Sequence, residues 1–188
     1  MRWYYLCDKM GMVVWQDIVN GGEVYDMNVI CTMPNIVIGW KQSDDRKLKL
    51  LKATGRFSQE AKDLWRQEAT EMVKQLKGVV SLGEWTIFNE GWGQFNTFEN
   101  VEFFKKLDDT RPVDAASGWF RQGSGDIYSE HNYFYKLKIH KTKMPFVLSE
   151  YGGYSVKVAK HSYMDGVYGV DNLDGASKVE RARAVVKR

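Results

Sequence analysis

Apolar and polar residues fall along this chain in blocks of two different periods. Residues 2–10, RWYYLCDKM, read as the end of an amphipathic helix, and Gly11 follows as a helix-terminating residue. Residues 12–18, MVVWQDI, form instead a continuous apolar run ending in polar groups, which predicts a strand buried on both faces. Asn20, Gly21 and Gly22 break it, and a long irregular stretch to residue 57 holds only a short apolar piece at 36–40. Ser58 is placed to cap a second helix, in which Ala61, Leu64, Trp65, Ala69, Met72, Val73 and Leu76 share one face before Lys77 and Gly78 close it.

The next strand is predicted within 79–89, with Trp85 to Phe88 as its clearest part. Asn96 and Glu99 then have capping-box spacing, opening a helix whose apolar face is Phe98, Val101, Phe104 and Leu107. After the turn DDTRP, strands are predicted at 113–119 (VDAASGW), 126–133 (DIYSEHNY) and 144–150 (MPFVLSE), with a short helical connector over 137–143. Helices separate some of these strands, and the strands are short apolar runs rather than alternating ones. That pattern predicts a parallel sheet covered by helices, either doubly wound or closed into a barrel.

Composition narrows the function. The chain has 188 residues and a net charge of +3, with basic residues scattered among acidic ones. No basic stripe suits a phosphate backbone, so a nucleic-acid partner is not expected. The basic cluster RARAVVKR at 181–188 reads as a solvated tail. The apolar runs are too short to span a bilayer, so no membrane partner is expected either. Two cysteines, Cys7 and Cys31, make neither a disulfide framework nor a metal cluster, and the three histidines lack metal-ligand spacing. His140 and His161 are read as surface residues. Gly91-Trp92-Gly93 lacks the third glycine of a dinucleotide or phosphate loop, so no cofactor is expected. Aromatic residues make up 14%, including seven Trp and ten Tyr, enough both to fill a core and to supply flat apolar platforms for a ligand.

Polar chemistry recurs at the predicted C-terminal ends of the strands: Asp17, Asn89 and Glu90, Ser117 to Trp119, His131 to Tyr133, and Glu150. In a parallel α/β barrel that face carries the active site. Glu90 and Glu150 each follow an apolar run and precede glycine within two residues, so the backbone can turn tightly and leave a carboxylate facing a cleft. Two carboxylates across one cleft suit glycoside hydrolysis, one protonated to donate to the leaving oxygen and one ionised.

At these residues the chain resembles a known family. FNEGWGQF around Glu90, DDTRPVDAASGW at 108–119, DIYSEHNY at 126–133 and FVLSEYGGY at 146–154 resemble the catalytic barrel of glycoside hydrolase family 2, which includes β-galactosidases, β-glucuronidases and β-mannosidases. VVWQDI at 13–18 resembles that family's third barrel strand. The resemblance implies a (β/α)8 TIM-barrel fold and a retaining hydrolase of β-linked glycosides acting on carbohydrate without metal or cofactor. Glu90 would be the general acid/base and Glu150 the nucleophile. Asn89 would hydrogen-bond the sugar's 2-hydroxyl, and Tyr133 would orient the nucleophile, with His131 beside it. Trp92 and Trp119 would wall the pocket, and Asp17 would bind a sugar hydroxyl. Retention requires carboxyl groups roughly 5–5.5 Å apart.

The motifs resemble barrel strands three to seven only, so the expected barrel is incomplete: a partial glycosidase domain over 1–170 and a basic tail over 171–188. LKGVVSLGEW also departs from the family's usual His-Pro approach to the fourth strand. An open sheet with exposed edges is expected to self-associate. The competing reading is a non-catalytic carbohydrate-binding or inactive fragment of such an enzyme.

Overall fold

Gly11 ends the first helix, α1 (Arg2–Met10), in the left-handed conformation at φ 68°, its N–H reaching the Asp8 and Cys7 carbonyls. This is a computed structural model; it describes residues 1–36, 44–133, 139 and 141–152. Most of the short apolar piece at 36–40, part of the 137–143 connector, His140, Gly153, His161 and the basic tail lie outside the described residues.

After α1 the chain enters β1 (Val14–Asp17). The stretch read as irregular contains a π-helical turn (Asn28–Thr32), α2 (Met33–Ile36) and α3 (Leu48–Ala53). These short elements carry too few turns to leave a periodic signal. The long helix α4 (Gln59–Leu76) begins where Ser58 Oγ accepts the Ala61 N–H at 3.1 Å, the cap expected for serine at that place. It leads to β2 (Leu82–Thr86), α5 (Thr97–Leu107), β3 (Val113–Asp114), β4 (Tyr128–Asn132) and β5 (Phe146–Tyr151).

Every strand pair is parallel. One sheet has the order β1-β2-β3 and a second pairs β4 with β5; among the described residues the two do not close into a barrel. The principal core lies between the first sheet and helices α4 and α5. Trp65 stacks on Phe88 at 5.0 Å and meets Phe95 edge-on, while Trp85 packs against Phe104. Trp85 also donates its indole N–H to Asp108, which pairs with Arg111 at 2.9 Å. Arg111 reaches on to the Leu82 and Val79 carbonyls, tying the α5–β3 turn to the start of β2.

Because paired residues on neighbouring strands share a face, the register Trp15↔Glu84, Asp17↔Thr86 and Thr86↔Asp114 puts these side chains on the face opposite Trp85. This inner face is polar. It also corrects the expectation that β1 is buried on both sides, since Trp15 on this face is 43% exposed. β5 is likewise half-buried rather than fully buried, and among the described residues only β4 pairs with it. Leu64 and Phe98, expected on core-facing stripes, are exposed.

The capping box is a second correction. Asn96 takes a left-handed φ of 42° and its amide reaches Glu99, so it does not cap α5. Asp45 does so from 52 residues away, accepting the Thr97 backbone N–H at 3.0 Å and the Gln94 amide at 3.1 Å, and pairing with the Thr97 hydroxyl. No helix among the described residues is long and apolar enough to cross a membrane.

Candidate active site

Beyond β2 the chain continues through Ile87 and Phe88 to Asn89, which forms an isolated parallel bridge with Ser117. The Ser117 N–H donates to the Phe88 carbonyl at 2.8 Å, and the Glu90 N–H donates to the Ser117 carbonyl at 2.9 Å. This bridge holds the backbone on both sides of Asn89, immediately before Glu90. Glu90 itself has φ 52°, a left-handed conformation that costs a non-glycine residue about 1–3 kcal/mol. Gly91 follows at φ 77°, where a Cβ would lie 2.4 Å from the Phe120 ring. The pair of left-handed residues turns the chain off the strand end and directs the glutamate back across it. Trp119 fixes the bend by donating its indole N–H to the Glu90 carbonyl at 2.7 Å.

Glu150 arrives from β5. Its partner in the β4–β5 register is His131, just past a bulge between Glu130 and His131. His131 Nδ1 lies 2.9 Å from Glu90 Oε1, while Nε2 lies 3.0 Å from Ser117 Oγ and 3.6 Å from Glu150 Oε1. The Tyr133 hydroxyl lies 3.0 Å from Glu90 Oε1 and forms a hydrogen bond with Glu150 Oε2. One oxygen from each glutamate and a ring nitrogen of His131 all fall within 4.8 Å of one another. Gly118 makes room for this, since at φ 86° a Cβ there would sit 2.6 Å from His131 Nδ1.

Exposure divides the cluster. The His131 side chain is fully buried, that of Glu90 is 20% exposed and that of Glu150 is 44% exposed. The carboxylates therefore reach a cleft while the imidazole stays behind them. A phenol carries one proton, so Tyr133 donates to only one glutamate at a time. Burial first, then the hydrogen bond to Glu150 and the charge of Glu90, push the Tyr133 phenol above its ordinary range, so it stays protonated as a donor. Glu90 and His131 are hydrogen-bonded to each other, and Ser117 and Tyr133 extend the contact into one network.

The remaining sequence-derived positions take distinct places. Asp17 ends β1, and its carboxyl is raised above the usual range by burial first and by the Glu150 charge second, with Thr86 and His131 opposing. Asn89 is half-buried and its carbonyl accepts the Trp92 N–H at 3.0 Å. Trp92 is half-buried, edge-on to Tyr25 at 4.9 Å. Trp119 is 2% exposed and stands behind Glu90, edge-on to His131 at 5.6 Å. Glu90, Glu150, His131 and Tyr133 are thus in mutual contact, with Asp17 in electrostatic reach.

Two residues of this region, Glu84 and Asp114, were not singled out from sequence, and Ser117 was noted there only as a strand-end polar group. Ser117 links His131 to the backbone bridge at Asn89. Glu84 and Asp114 lie on the polar inner face of the strands that lead to the site, and both are buried. Glu84 had a readable signal, since a carboxylate inside a strand (Leu82-Gly83-Glu84-Trp85-Thr86) is rare unless it has a partner.

Parallel strands covered by helices, with paired carboxylates gathered beyond the strand ends, define an α/β protein of the kind that builds its site at one end of a parallel sheet. The chain belongs to glycoside hydrolase family 2: the pattern described as Glycosyl hydrolases family 2, TIM barrel domain, matches residues 1–187. Its fold is accordingly that of a TIM-barrel domain, of which the described residues make five parallel strands and no closed barrel. No individual curated protein matches the chain.

Proposed function

We propose that this chain is a retaining hydrolase of β-linked glycosides, with Glu90 as general acid/base and Glu150 as nucleophile. The observation that carries the reading is the convergence of one oxygen from each glutamate within 4.8 Å around the Tyr133 hydroxyl. A spacing of this order supports direct attack by a carboxylate; inversion needs roughly 6.5–9.5 Å to admit a water between the groups.

In the first step Glu150 attacks the anomeric carbon and forms a glycosyl ester. The bond to the leaving oxygen breaks, and Glu90 gives that oxygen its proton. In the second step Glu90 takes a proton from water, the resulting hydroxide attacks the anomeric carbon, and Glu150 leaves as a carboxylate. Tyr133 holds the nucleophile's second oxygen, and His131 orients Glu90. Asn89 and Asp17 are assigned to sugar hydroxyls, Trp92 to the pocket wall and Trp119 to the buttress behind Glu90.

A panel of aryl β-glycosides tests this. Glu150→Ala is expected to lower turnover on the order of a thousandfold or more, with azide restoring part of it by taking the nucleophile's place. Sugar binding with no turnover by the unaltered chain would replace this reading with a non-catalytic carbohydrate-binding role.

A further inference from the structure

Beneath the two glutamates lies a second pair of acids. Glu84 on β2 and Asp114 on β3 are 2% and 1% exposed, and both side chains point to the inner face. Glu84 Oε1 accepts the Asp114 backbone N–H at 3.1 Å and the Thr86 hydroxyl at 3.2 Å. Glu84 Oε2 and Asp114 Oδ2 are buried with no hydrogen-bond partner. Two buried, orphaned acceptors on adjacent strands, joined through the Asp114 N–H and each within reach of the other's charge, are costly if both acids are ionised, because a carboxylate can only accept. A single proton kept by the pair removes one of the two charges and turns one acid into a donor.

The surroundings supply no other remedy. Among the described residues no lysine or arginine forms an ion pair with either acid. From β1 the pair faces Asp17, a further negative charge; from β4 it faces His131 and Ser129. Asp114 also borders a cavity of about 440 Å³ whose other charged lining residues are Asp44, Arg46 and Arg121. Arg46 is hydrogen-bonded to Asp44, and Arg121 donates to the Gly118 and Ser129 carbonyls. Burial first and then the charge of Asp114 push Glu84 up to about 8. Asp114 is raised by burial, with the Ser129 and Ser117 hydroxyls and His131 opposing.

Asp114 therefore has a route to the site. Ser117 neighbours Asp114 and also contacts His131 Nε2 at 3.0 Å, and the far nitrogen of that ring contacts Glu90. We propose that Glu84 and Asp114 share one proton, with Glu84 as its carrier, and that ionised Asp114 acts through Ser117 and His131 as a positioning residue for Glu90. The second half rests on the role proposed for Glu90; the first half does not.

Difference infrared spectroscopy of the full chain at pH 7 reads the shared proton without any need for turnover. A protonated-carboxyl band belonging to Glu84, distinct from the proton that Glu90 carries as general acid, is expected in the unaltered chain and in Asp114→Asn, and is expected to be missing from Glu84→Gln. No difference in protonated-carboxyl absorption between the unaltered chain and Glu84→Gln at pH 7 overturns the shared proton. If Glu84→Gln does not fold, Asp114→Asn decides instead: its band should titrate at lower pH, and an unmoved titration overturns the pairing. Ring-nitrogen NMR of His131 reads the second half, since Asp114→Asn should shift both ring nitrogens; unshifted resonances overturn the coupling. Where glycosides are turned over, Asp114→Asn should also displace the pH–rate profile along the pH axis, and a uniform loss at all pH values would mark Asp114 as merely structural. A silent glycoside panel with a positive infrared result would count against the hydrolase reading alone.

Discussion

The His131 ring stands 2.9 Å from Glu90, on a glutamate whose backbone is itself held left-handed at φ 52°. The imidazole is fully buried and its other nitrogen is engaged by Ser117, so its plane and its contact with Glu90 are set together. Replacing His131 by Ala removes one hydrogen-bond partner from Glu90 and one from Ser117. Expected are a loss of about 1–3 kcal/mol in urea denaturation and a fall in aryl β-glycoside turnover of about a hundredfold. Unchanged turnover would remove His131 from the proposed machinery.

Gly118 sets how closely that ring can approach. An added Cβ would sit 2.6 Å from His131 Nδ1, on a backbone at φ 86°. Gly118→Ala should displace His131 and cost about 1–3 kcal/mol in stability. The matching control is Gly78→Ala, where a Cβ meets nothing within 4 Å and where stability should hold.

Stability should also depend on pH through Glu84. Its ordinary value is 4.5 and the fold raises it to about 8. Below pH 4.5 the acid is protonated in both states. As pH rises from there towards 8, the unfolded chain releases the proton while the folded chain keeps it, so stability falls across this window. Denaturation curves at pH 5 and pH 8 should therefore differ more for the unaltered chain than for Glu84→Gln. An equal drop in both would exclude Glu84 as the source.

Asp108 gives the opposite sign. Burial works against its charge, but hydrogen bonds from Thr110, Trp85 and Arg111 outweigh that and hold it at about 2, below its ordinary 3.8. Its contribution is full above pH 3.8 and is lost as pH falls through about 2. Asp108→Asn should cost about 1–3 kcal/mol at neutral pH, because Arg111 loses its partner where β2 begins. Chemical denaturation at pH 7 measures this directly, and a loss of under about 0.5 kcal/mol, the size of a surface change, would show the contact to be dispensable.

Local chemistry made much of this protein readable in advance. Ser58 caps α4 and Gly11 ends α1 because these signals act within one turn of chain. The strands β1, β2, β4 and β5 were legible in the sequence, and so were the acids at or just past the C-terminal ends of β1, β2 and β5. Their place after apolar runs and before glycine singled out Glu90 and Glu150, and the family resemblance gave each its role.

What the linear order could not carry was decided by partners brought from far away. Asp45 displaced Asn96 as the cap of α5 because its carboxylate reaches the helix end across a fold that local spacing does not record. The predicted strand at 113–119 shortened to Val113–Asp114 plus a single bridge at Ser117, as the chain bends through Gly118 and the left-handed Phe120. Glu84 was readable as an unusual acid inside a strand, but its protonation was not, since that depends on the burial and the Asp114 charge that only packing sets around it. A sequence fixes which groups exist and which turns are allowed; only packing fixes their distances, and Coulomb and desolvation energies depend on distance.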